Sequence, residues 1–121
     1  MDFSFTEEQQ AIEAVASRFA RERLLPGYQA REKAACVDLE LRREIGALGL
    51  IGAELPEEYG GLNSDAVTTG LILDALAVGD FNVAYLVLLA ALNGQIVADH
   101  MSPEVADEWL PRICSGEILP A

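Results

Sequence analysis

Two cysteines, one histidine and 20 carboxylates are the side chains of this 121-residue chain that could carry nucleophilic, metal or acid–base chemistry. Cys36 and Cys114 lie 78 positions apart with no CxxC spacing, which excludes the usual zinc and dithiol redox patterns. His100 is the sole histidine, so a His-rich metal site is excluded and a Cys–His pair is the one nucleophilic arrangement left. Its position reads more simply as the last turn of a helix, where the dipole favours a cation. A carboxylate acting as acid or base needs a partner and an apolar cleft, and the spacing singles out no pair. Gly46, Gly49 and Gly52 recur every third residue and Gly60-Gly61 follow a tyrosine, but neither set forms GxGxxG or GxxxxGKS after a strand. These glycines read as helix stops and left-handed turns. The residues themselves therefore nominate no catalytic group, no metal ligand and no phosphate cradle.

Charge and composition narrow the classes further. The net charge of −12 repels phosphate backbones and excludes nucleic acid as a partner. Seven of the eight basic residues fall at Arg18, Arg21, Arg23, Arg31, Lys33, Arg42 and Arg43, and none lies between Arg43 and Arg112. With 51% hydrophobic residues the chain can bury a real core and is not disordered. No secretory signal opens it, so both thiols read as reduced and the setting as cytoplasmic. The longest unbroken apolar run, Val83 to Leu92, is ten residues, short of the roughly 20 that a membrane span needs.

The elements that must position any site read as helices throughout, giving an all-α, up-and-down bundle of about five. Thr6 with Gln9 forms a capping box, and Ile12, Val15, Ala16, Phe19, Ala20 and Leu24 make one stripe that Pro26-Gly27 is expected to end. A second helix starts at Asp38, turns Leu41, Ile45 and Leu48 inward and stops at Gly49. Leu50 to Pro56, with Pro56-Glu57-Glu58-Tyr59-Gly60-Gly61, reads as an ordered loop. Ser64 or Asp65 caps a third helix that buries Val67, Leu71, Leu76 and Val78 and closes at Gly79-Asp80. A fourth runs from about Phe81 to Asp99. Ser102-Pro103-Glu104 starts a fifth, which packs Val105, Ala106, Trp109, Leu110 and Ile113, with Pro111 expected to kink it or tighten its last turn.

The fourth helix is apolar around its whole circumference and must be covered on every side. Four short neighbours in a bundle cover about two faces, so one face is expected to meet a partner or a hydrophobic ligand. A free-standing helical module that buries this face against another protein satisfies the same pattern.

The order of signals resembles a known family. Phe3-Ser4-Phe5-Thr6-Glu7-Glu8-Gln9, Gly49-Leu50, Leu55-Pro56-Glu57-Glu58-Tyr59-Gly60-Gly61, Trp109-Leu110-Pro111 and Ser115-Gly116-Glu117 are similar, in sequence and order, to the N-terminal helical domain of acyl-CoA dehydrogenases. The resemblance covers residues 1–121 and implies α,β-dehydrogenation of an acyl-CoA thioester. A carboxylate takes the α-proton and FAD receives the β-hydrogen as hydride. It further implies a central β-domain and a C-terminal helical domain, a homotetramer, and an electron-transfer flavoprotein as acceptor. In that family the flavin-contacting stretch and the base glutamate lie beyond the position of Ala121, so this chain by itself is expected to be inactive and to hold no FAD. The family register makes Tyr85, Leu88, Leu89 and Leu92 the residues that line the acyl pocket. The same domain in a flavin monooxygenase or a nitroalkane-oxidase-like enzyme is the alternative within the fold.

Overall fold

The computed structural model describes residues 1–120, and among them every regular element is helical. Helix α1 is a continuous rod of three segments, an α-helix Glu7–Phe19, a π-helical turn Ala20–Leu24 and an α-helix Leu25–Ala34. Then follow α2 (Leu39–Ala47), a 3₁₀ turn Glu57–Tyr59, α3 (Ala66–Gly79), α4 (Phe81–His100) and α5 (Pro103–Cys114). The long helices pack in the order α1, α3, α4, α5, with the 3₁₀ turn against α5.

The expected helix starts are all present. The Gln9 amide donates to Thr6 Oγ1 at 3.1 Å while the Thr6 amide donates to Gln9 Oε1 at 3.0 Å, completing the capping box. Asp38 accepts from the Leu41 amide at 2.8 Å. Asp65, not Ser64, caps α3, accepting from the Thr68 amide and hydroxyl, each at 2.9 Å. Those donors hold its carboxyl below the usual range, so the cap's contribution is present above the ordinary carboxylate pKa and lost as pH falls through the lowered one. Ser102 caps α5 through the Val105 amide. His100 is the last residue of α4, where the dipole favours it.

Pro26-Gly27 does not end α1, against expectation. Proline cannot donate to the carbonyl one turn back, and its ring crowds that carbonyl. The π turn just upstream absorbs the mismatch, with the Leu25 amide reaching back five residues to Ala20 O. The helix runs on until Ala35 adopts φ +50°, ψ +38°, a left-handed C-cap made without glycine.

Four expected inward residues face solvent instead. Leu48 is 43% exposed because α2 stops one residue earlier and Gly49, at φ +76°, turns the chain so that Leu50 enters the core in its place. Val67 and Val78 of α3 are exposed, while Leu76 is buried as expected, on a side it shares with Thr68, Ile72, Ala75 and Gly79. Trp109 lies beside the Ala106, Leu110, Ile113 face of α5, its ring covered by the Arg112 guanidinium at 5.0 Å. Pro111 leaves α5 unbroken to Cys114 and the last turn is tight, with the Gly116 amide donating to Ile113 O at 3.1 Å.

The loop after α2 is core. Leu50, Ile51, Ala53 and Leu55 are buried, and the returning segment Leu62 to Ser64, with Asn63 at φ +50°, donates to Gly52, Leu55 and Ala53 carbonyls. Gly61 passes so close that a Cβ there would lie 2.0 Å from Leu55 O, which accounts for the second glycine of the Tyr59-Gly60-Gly61 segment.

Two outcomes follow from this packing. Ala35→Gly should stabilise the protein by about 1 kcal/mol, since a left-handed alanine carries a steric cost that glycine lacks. Urea unfolding with a higher midpoint at unchanged slope is the check. Cys36 is exposed, whereas burial pushes the Cys114 thiol pKa up. Titration with a thiol reagent should therefore label Cys36 in the folded protein and Cys114 only on unfolding.

Candidate functional site

Helix α4 has two opposed faces. Val83, Ala84, Val87, Ala90 and Gly94 are buried against its neighbours. On the other side Phe81, Tyr85, Leu88, Leu89, Leu92 and Ile96 fall within an arc of about 100°. Tyr85 is 50% exposed and Leu92 55%, with Leu88 and Leu89 half-buried between them. The Phe81 and Tyr85 rings stack at 6.5 Å, one turn apart. All four pocket residues expected from sequence thus share one open apolar wall. Phe81 and Ile96 extend it at both ends, and continuing the same i, i+4 spacing in the sequence would have found them.

The wall is fixed at its start by a buried charge. Asp80 is 3% exposed and occupies the single residue between α3 and α4. Its Oδ1 accepts from the Asn82 and Val83 amides at 3.0 and 3.4 Å, capping α4, and its Oδ2 accepts from Arg31 Nε of α1 at 2.7 Å. Arg31 Nη2 donates to Leu24 O at the end of the π turn. One residue along α1, Glu32 accepts from Asn82 Nδ2 at 2.9 Å. Gly79 lies so close to the π turn that a Cβ would meet Ala20 O at 2.6 Å. From the sequence Asp80 is a helix stop and Arg31 one of seven basic residues in the first half of the chain. Nothing in their 49-residue separation signals the pair.

Beside this junction a groove of about 500 Å³ is lined by Arg31, Cys36, Val37, Asn82, Tyr85 and Leu86, among others. Tyr85 borders it, and Leu88, Leu89 and Leu92 continue along the open wall outside it. Farther along, Asn93 Nδ2 donates to Leu89 O at 2.9 Å and to Pro120 O at 3.2 Å, laying the end of the described chain beside the wall. A second groove, about 900 Å³, runs between α1 and the α2–α3 loop past Ile12, Val15, Leu48 and Leu62. Among the described residues no three of His, Cys, Asp and Glu converge as metal ligands.

By length and composition α4 could cross a membrane: Asn93 and Gln95 interrupt its unbroken apolar run, yet an 18-residue stretch of the helix keeps a mean hydropathy of 1.7. It is packed between α3 and α5, as the central helix of a bundle is.

Fold and site together define the class, an all-α bundle presenting one apolar wall. The acyl-CoA dehydrogenase N-terminal domain family matches residues 6–117. An acyl-CoA dehydrogenase of Mycobacterium tuberculosis is 33% identical over 126 aligned residues, covering 99% of this chain and 31% of its own length. Butyryl-CoA dehydrogenase from Megasphaera elsdenii superposes with a TM-score of 0.86 at 28% identity, over 98% of this chain and 32% of that one. Glutaryl-CoA dehydrogenase from Mycobacterium smegmatis, in complex with FADH2, gives 0.87 at 28% identity over 95% and 30%. The chain belongs to the acyl-CoA dehydrogenase family, as its N-terminal domain, and spans about a third of the length of these relatives.

An open wall of this kind should drive association when the 121 residues are produced by themselves, since covering the exposed half of each large side chain recovers about 1 kcal/mol. Sedimentation velocity should report concentration-dependent self-association that the double substitution Leu92→Gln, Ile96→Gln suppresses. A monomer at every concentration, with or without the substitutions, would contradict it.

Proposed function

We propose that the open face of α4 is part of the acyl-pocket wall of an FAD-dependent acyl-CoA dehydrogenase, with Tyr85, Leu88, Leu89 and Leu92 against the acyl chain. The observation that carries this reading is their convergence on the one face of α4 that the bundle leaves uncovered. Such a face suits a hydrocarbon chain: it excludes water, offers dispersion contacts along its length and supplies one polar group, the Tyr85 hydroxyl.

The wall does not suit a flavin's pyrophosphate. Among the described residues the cation bordering it, Arg31, is already committed to Asp80, and the chain holds no basic residue between Arg43 and Arg112. FAD, where bound, supplies the hydride acceptor for α,β-dehydrogenation of the thioester. The residues here bind and orient the substrate's tail and take no part in proton or hydride transfer. On the same reading the protein is cytoplasmic, works as a homotetramer and passes electrons to an electron-transfer flavoprotein.

The test is Leu89→Phe in the full-length enzyme, assayed across a series of straight-chain acyl-CoA substrates. Each methylene is worth about 1–3 kcal/mol of discrimination, so the longest good substrate should lose about tenfold or more in kcat/KM while the shortest is unaffected. An unchanged chain-length profile would remove Leu89 from the pocket.

A further inference from the structure

We propose that Arg31 and Asp80 are positioning residues for substrate binding: together with the π turn of α1 they set the placement of the α4 wall, and through it the fit of the acyl chain. This rests on the pocket reading above and adds residues that do not touch substrate.

The geometry is that of a clamp. The Asp80 carboxylate uses both oxygens, one to cap α4 and one to hold Arg31, so the first turn of α4 cannot shift without breaking a charge-assisted bond. Arg31 is fixed in turn at a second point, the Leu24 carbonyl. A guanidinium can make both contacts at once because its donors form a rigid fork, whereas an ammonium is a single point charge. The Asn82–Glu32 bond ties the same two helices one residue along. Gly79 seats the end of α3 on Ala20 and Leu24 at a distance only glycine permits. The polar contacts at the start of α4 therefore tie it to the segment of α1 between Leu24 and Glu32, while its apolar side packs on α3 and α5. Phe81 and Tyr85, the first residues of the wall, lie within one turn of the clamp and stack on each other. A tilt of α4 at this end would move Tyr85 most and propagate along Leu88, Leu89 and Leu92.

A mispositioned tail pocket, distant from the reacting carbons, weakens substrate and transition state alike, so the signature is a raised KM at constant kcat. The experiment uses the full-length, FAD-loaded enzyme with Arg31→Lys and Arg31→Met, measured where circular dichroism and flavin content match wild type. For Arg31→Lys the KM of the preferred acyl-CoA should rise about fivefold, with kcat within about twofold and a broadened chain-length optimum. Arg31→Met should exceed that, by about twentyfold, and restoring arginine should restore the profile. Should the methionine variant fail to fold, Asn82→Ala takes its place, with a smaller rise in KM expected. Lowered thermal stability with KM and chain-length optimum at wild-type values would overturn the proposal and leave the pair a purely structural one. A wild-type enzyme that oxidises no acyl-CoA would instead overturn the pocket reading, and this proposal with it.

Discussion

Three helices meet at the carboxylate of Asp80, and the arrangement of the bundle depends on that meeting. A carboxylate this buried is costly unless both oxygens find donors, and here two backbone amides serve Oδ1 and a guanidinium serves Oδ2. Removing one partner would leave an uncompensated charge in the core, a loss of about 3–5 kcal/mol in comparable buried pairs. The sharp turn between α3 and α4 thus works as a joint with a single stable setting. Its socket is the π turn of α1, itself a consequence of a proline that the helix accommodates without stopping.

That joint explains how one helix can serve the core and a surface at once. With its start fixed, α4 turns its small and β-branched residues, Val83, Ala84, Val87, Ala90 and Gly94, toward its neighbours and keeps Phe81, Tyr85, Leu92 and Ile96 on the far side. Small residues on the packed face let the helices approach closely, and large ones on the open face give a wall with relief. A wholly amphipathic α4 would have made a self-sufficient bundle with nothing to offer an apolar ligand.

Local chemistry was the legible part of the sequence. Caps at Thr6, Asp38 and Ser102 depend on residues three apart, and a single chain displays them directly. Gly49 and Gly60 were likewise readable as left-handed turns, whereas the close approach of Gly61 to Leu55 leaves no local signal. The faces of α3 and α4 were not, because an apolar residue at almost every position removes the periodicity that marks inside from outside. Val67 and Val78 fell on the wrong side for that reason. Leu48 failed differently, through a helix end displaced by one residue, and Trp109 through an arginine that covers its ring on the surface. The Arg31–Asp80 pair was invisible because a buried ion pair between distant segments leaves no pattern in spacing. Tyr85, Leu88, Leu89 and Leu92 came from family resemblance, and the fold brings them onto one face.

The central claim is that this face contacts the acyl chain, and proximity labelling reads it directly. An acyl-CoA carrying a diazirine near the end of its chain, bound to the full-length enzyme, irradiated and mapped by peptide mass spectrometry, should insert into the Tyr85 to Leu92 stretch, competed by unlabelled substrate. Competable insertion confined to other parts of the protein, with none between Phe81 and His100, would contradict the account.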